Sequence, residues 1–62
     1  MKIDIKDMVV LKGQDHCWWI YSNKLDKYFH TDISCNQVTE EELISNFEFG
    51  NGTWISNLNY DV

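Results

Sequence analysis

The first half of the chain alternates short apolar stretches with polar punctuation. Ile3 and Ile5 are interleaved with Lys2, Asp4 and Lys6, a period-two pattern that predicts a short edge strand or an extended lead-in. Met8-Val9-Val10-Leu11 is a continuous apolar run, closed by the turn-forming Lys12-Gly13-Gln14-Asp15. Cys17-Trp18-Trp19-Ile20-Tyr21 is rich in β-forming side chains and gives way to a second turn at Ser22-Asn23-Lys24. Tyr28-Phe29-His30-Thr31 predicts a strand returning from that turn. These segments together predict a three-stranded antiparallel meander.

The second half changes period. Thr39-Glu40-Glu41-Glu42 opens a helix: Thr39 can cap the orphan amides, and Glu42 can complete a capping box. The three glutamates also sit at the positive end of the helix dipole. Leu43, Ile44 and Phe47 supply the apolar stripe, and the helix is expected to stop near Asn46. Asn51-Gly52 then predicts a two-residue hairpin loop. That register sets Phe49 opposite Trp54, with Phe47 and Leu58 on the same face and Glu48 and Asn57 on the other. The expected fold class is α+β: a small twisted antiparallel sheet of roughly four or five strands with one short helix near residues 40–46. All 62 residues are expected to form a single domain.

Composition adds a constraint on partners. At 44% hydrophobic and 15% aromatic, the chain has the material for a folded core rather than a disordered acidic tail. No run approaches the roughly 18 apolar residues of a membrane span. Met1 to Asp7 alternate in charge without a long apolar stretch, unlike a secretory signal, so a cytoplasmic location is expected. The net charge is −5, all five cations are lysine, and there is no arginine, which argues against direct nucleic-acid binding. Alanine, arginine and proline are absent while Asn, Ile, Lys, Tyr and Phe abound, the codon signature of a low-GC bacterial or bacteriophage gene.

Candidate chemistry is sparse. His16, Cys17, His30 and Cys35 are the only nitrogen or sulfur ligands. His16 and Cys17 are adjacent on a predicted strand and point to opposite faces, so no structural metal and no cofactor is expected. A Cys17–Cys35 disulfide is not expected in a reducing compartment. A Cys–His catalytic pair is not expected either, because so short a chain has little material for a substrate cleft and shows no phosphate loop or nucleophile elbow. The chain is read as non-enzymatic.

The aromatic segment carries the most functional weight. Cys17, Trp19 and Tyr21 share one face of the predicted strand, and Trp18 and Ile20 share the other. Both faces are apolar, so either the chain covers both or one stays exposed. Trp18 and Ile20 are expected to form the partner-binding face, with Cys17, Trp19 and Tyr21 turned inward. Glu40, Glu41 and Glu42 would add an acidic patch to that surface. A chain this short is marginal by itself, and a homodimer that buries the surplus aromatic surface is expected.

Asp7-Met8-Val9-Val10-Leu11-Lys12-Gly13 resembles the opening strand and turn of small SH3-like β-barrel proteins encoded by phages of low-GC bacteria. What the resemblance implies is a short, acidic accessory protein that binds and inhibits or redirects a larger host protein. The expected function is accordingly a protein-binding module, a phage or prophage inhibitor of a host defence or nucleic-acid-processing protein with a basic surface. Two alternatives stand beside it. One is a carbohydrate-binding module in which Trp18, Trp54 or Tyr21 stacks on sugar rings. The other is a metal- or thiol-dependent regulator using Cys17, His30 and Cys35.

Overall fold

A computed structural model describes residues 1–56. Three strands follow one another in the first half: β1 (Met8–Lys12), β2 (Cys17–Ser22) and β3 (Lys27–Ser34). Helix α1 (Glu40–Asn46) crosses from β3 to β4 (Trp54–Ser56). All neighbours pair antiparallel in the order β1-β2-β3-β4. The expected meander is present, extended by a fourth strand, and the fold is a small α+β one. β1 and β4 lie at the two edges of the sheet, so the barrel closure implied by the SH3-like resemblance is not among the described residues.

One face of the sheet carries the core. Ile3, Trp18, Ile20, Phe29, Leu43 and Phe49 form a single buried cluster. Trp18 is 4% exposed and Ile20 0%, which reverses the expected orientation of β2. The reason is register: Ile20 sits between Val10 and Phe29, both on the face that α1 and the 47–49 segment cover. The Trp18 indole N–H donates to the Val38 carbonyl at 3.1 Å, so its polar edge is satisfied inside. Around Phe49 the rings meet mostly edge to face: Phe29 at 4.9 Å and 86°, Phe47 at 5.0 Å and 89°. Such pairs add about 0.5–1.5 kcal/mol each beyond area burial.

Thr39 caps α1 as its sequence neighbours dictate. Its hydroxyl accepts from the Glu42 amide at 3.1 Å, and the Glu42 carboxylate accepts from the Thr39 amide at 3.2 Å. The helix ends at Asn46, and Phe47 leaves in extended conformation.

The hairpin at Asn51-Gly52 does not form. Glu48 pairs with Lys2 and the Phe49 amide donates to the Met1 carbonyl at 2.7 Å, while Trp54 pairs with Phe29. Two other segments outcompete the local turn for these backbone groups. The Phe49 and Trp54 rings still stack, at 5.1 Å and 29°, although no ladder joins their strands. The expected positions of Asn57 and Leu58 lie outside the described residues.

The lead-in strand is also cut short. Lys2 makes one isolated bridge, and residues 5–7 form a turn. The Asp4 carbonyl accepts from the Asp7 and Met8 amides, and its carboxylate accepts from the Lys6 amide, the local chemistry by which Asp competes with strand formation. Ile3 is therefore buried while Ile5 is 72% exposed.

Candidate functional site

The face of the sheet away from α1 is assembled by strand alternation. Val9, Tyr21, Tyr28 and Ile55 lie side by side across all four strands, and Leu11, Trp19 and His30 form the next row. No lysine occupies a strand position on this face. Val9 is 45% exposed, and Tyr21, Tyr28 and Ile55 are half-buried. The two tyrosine rings meet at 4.9 Å with a 49° tilt.

Trp19 is the exception, at 2% exposure. Its indole lies under the loop after β1, where a Cβ on Gly13 would fall 2.1 Å from Nε1. Glycine is required there because the indole fills the space. Next to Trp19, His30 covers the ring at 4.4 Å. The surplus aromatic face of β2 is thus covered within one chain, by a loop on one side and the helix layer on the other.

Three aspartates rim the outer face. Asp26 accepts from the Tyr21 hydroxyl at 2.5 Å. Asp15 accepts from the Trp19 indole and the Cys17 amide with Oδ1, both at 3.1 Å, and meets His30 Nε2 with Oδ2 at 2.8 Å. Asp32 Oδ1 lies 3.0 Å from His30 Nδ1. Both ring nitrogens of His30 therefore face carboxylates. The Trp19 indole, more than the Cys17 amide or His30, holds Asp15 below the ordinary aspartate value and outweighs the opposing effect of desolvation. Hydrogen bonding to Asp26, then burial, raises the Tyr21 phenol.

A bulge builds this corner. Cys17 pairs with Ser34 but Trp19 pairs with His30, so residues 31–33 of β3 bow out opposite Trp18. The Thr31 hydroxyl donates to the Trp18 carbonyl at 2.8 Å, and Asp32 adopts φ of 61°. His16, at φ of 63°, turns the loop into β2. Asp and His are among the residues that tolerate this left-handed region best. Asp15, Cys17 and His30 are thereby gathered with one ligand atom each within 4.8 Å of the others.

The thiol and the imidazole of this corner have different neighbours. Burial, followed by the negative charge of Asp15, pushes the Cys17 thiol up, so it is protonated at neutral pH. His30 is engaged by two carboxylates rather than poised on the sulfur. Cys17 and Cys35 are both free thiols, and Cys35 packs against the core.

The residues singled out in the sequence are divided between surfaces. Trp18 and Glu40 line one shallow groove with Val10, Lys12, Cys35 and Thr39, and the Lys12 ammonium stands 5.9 Å from the Trp18 ring centre. Ile20 reaches no surface. Glu41 and Glu42 are exposed, and Glu42 is occupied by the helix cap. Asn51 and Gly52 are exposed but make a bend rather than a hairpin. Of the residues named for sugar stacking, Trp18 is in the core cluster, Trp54 is half-buried against it, and Tyr21 is half-buried and tilted against Tyr28. Asp15, Asp26 and Asp32 were not distinguishable in the sequence, because nothing in their spacing shows that two loops and a bulge place them on one face.

Compared with known protein families, curated proteins and solved structures, the chain shows no match. Among the described residues, no helix is long and apolar enough to cross a membrane.

Proposed function

We propose that this chain is a non-enzymatic, acidic protein-binding module whose binding surface is the outer face of the sheet. One observation supports the reading above others: the aliphatic and aromatic row Val9, Tyr21, Tyr28 and Ile55 is bordered by Asp15, Asp26 and Asp32, with no lysine among its strand positions. Apolar contact area with a carboxylate rim fits a partner whose basic surface surrounds an apolar patch. Acidic steering makes encounter with such a partner fast and salt-sensitive. The partner class is a host protein with a basic, nucleic-acid-binding groove, and the chain acts there as a phage or prophage inhibitor in the bacterial cytoplasm.

The surface differs from the one expected of Trp18 and Ile20, and so does the argument for self-association. A homodimer was motivated by an uncovered face of β2, yet Trp18, Trp19 and Ile20 are all buried within one chain. Two copies meeting through the outer face would also oppose their aspartates. A basic partner of different sequence is favoured over a second copy.

The test uses proteins retained from a low-GC bacterial lysate by the immobilised chain. Retention of a basic protein that is released by duplex DNA and by salt, and that is lost with Val9→Lys or Asp26→Asn, is the expected result. Equal retention by those variants, or no competition by DNA, defeats the proposal. Light scattering of the free protein separates the alternative: a dimer dissociated by Val9→Lys would assign the same face to self-association.

A further inference from the structure

We propose that Asp15, Cys17 and His30 form a binding site for a divalent transition-metal ion of the zinc type, with Asp32 positioning His30. The three ligand atoms are a carboxylate oxygen, a thiol sulfur and an imidazole nitrogen, drawn from the loop before β2, from β2 and from β3, and all lie within 4.8 Å of one another. This mixed set suits zinc or cobalt, whereas calcium and magnesium select oxygen ligands alone. The sequence objection concerned His16 and Cys17, which cannot share an ion. Asp15, two residues before Cys17, takes the place that His16 cannot.

Each ligand is held by a partner outside the trio. Asp15 Oδ1 accepts from the Trp19 indole, which leaves Oδ2 directed at His30. His30 Nδ1 faces Asp32 at 3.0 Å, so Nε2 is the nitrogen turned toward Asp15. A carboxylate on the far nitrogen of a ligating histidine is the usual outer-shell arrangement at metal sites, and it fixes the tautomer and raises ligand basicity. Trp19 and Gly13 wall the site on one side.

Ligand atoms around a tetrahedral ion are about 3.5 Å apart, so the Asp15–His30 contact of 2.8 Å opens slightly while Cys17 approaches by about an ångström. On binding, the Cys17 thiol proton goes to solvent, while His30 offers its Nε2 lone pair to the ion and carries its ring proton on Nδ1, toward Asp32. Carboxylate and thiolate together then balance the two charges of the dication. The Asp15 and His30 side chains are 45% and 26% exposed, so the fourth tetrahedral position is left to water.

Cobalt(II) added to metal-stripped, untagged protein tests the site. The expected result is one ion per chain, with a thiolate-to-cobalt charge-transfer band and d–d bands of tetrahedral intensity, all displaced by zinc. Cys17→Ser should abolish the charge-transfer band while Cys35→Ser retains it. Asp32→Asn should keep the band and weaken binding about 10-fold, the usual effect of losing an outer-shell partner. Zinc-induced NMR shifts in the unmutated protein give a reading that no folding defect can mimic. They should centre on residues 15–17 and 30–32. No charge-transfer band in the unmutated protein, a band that follows Cys35 instead of Cys17, or shifts centred elsewhere would each overturn the site.

Discussion

The ring of Phe29 occupies the space that a side chain at Gly52 would need. A Cβ there would fall 2.2 Å from two ring carbons, and Phe29 is itself wedged between Phe49 and Trp54. Gly52→Ala should therefore cost about 1–3 kcal/mol through overpacking. Gly50 is the control: nothing lies within 4 Å of its Cβ direction, and no glycine has positive φ. Gly50→Ala should stabilise by about 0.4–1 kcal/mol by restricting the unfolded chain. Urea midpoints of the two variants should move in opposite directions.

Trp18 belongs to the core, so its replacement should be felt as instability. Trp18→Ala should cost about 3–5 kcal/mol, enough to unfold most of a domain this size at room temperature. A Trp18→Ala protein with unchanged far-ultraviolet circular dichroism and thermal midpoint would contradict the buried position.

Thr39 and Glu42 satisfy each other's amides at the start of α1. Thr39→Ala should lower stability by about 1 kcal/mol, and Thr39→Ser should retain most of it. Denaturant titrations of the pair separate loss of the cap from loss of the methyl group.

Asp15 imposes a pH dependence whose sign is fixed. Its carboxyl lies below the ordinary value of 3.8 in the folded chain, chiefly through the Trp19 indole. The folded state therefore favours the ionised form. That stabilisation is present above the ordinary value and disappears as pH falls through the lower folded one. Asp15→Asn should make the acid limb of a stability–pH curve shallower, while leaving the limb above neutrality unchanged. Chemical denaturation at a series of pH values measures both limbs.

Elements governed by near neighbours were legible in the sequence, and those decided by competition were not. The capping box of α1 and the strands of the meander depend on residues a few positions apart. Asn51-Gly52 carries as strong a local signal, but its flanking residues found better backbone partners in Lys2 and Phe29. The two faces of β2 were separated correctly by alternation, yet period two cannot say which face is inside. That choice was made by the cover of α1 and the 47–49 segment over Trp18 and Ile20, while Gly13, by its missing side chain, let a loop close over Trp19 on the other face. The Asp15, Cys17 and His30 grouping stayed hidden for a related reason. It depends on a bulge in β3, and a carboxylate in a loop gives no sign of being a ligand.

Asp7 ties the segment before β1 to the turn of the second hairpin. Its carboxylate accepts from the Ser22 hydroxyl at 2.8 Å and the Lys24 amide at 2.9 Å, and its carbonyl accepts from the Asn23 amide at 3.0 Å. The turn joining β2 to β3 is thus closed by a residue that precedes β1. Ser22, only 1% exposed, would have its hydroxyl left without this partner if the second hairpin formed first. That turn gains its full set of hydrogen bonds only once the segment before β1 has docked. An excised β2–β3 peptide should consequently remain largely unstructured, and refolding should be slowed by Asp7→Ala more than by Thr39→Ala. In native-state hydrogen exchange, the Asn23 and Lys24 amides, although they sit in a surface turn, should report opening of the first hairpin as well as the second.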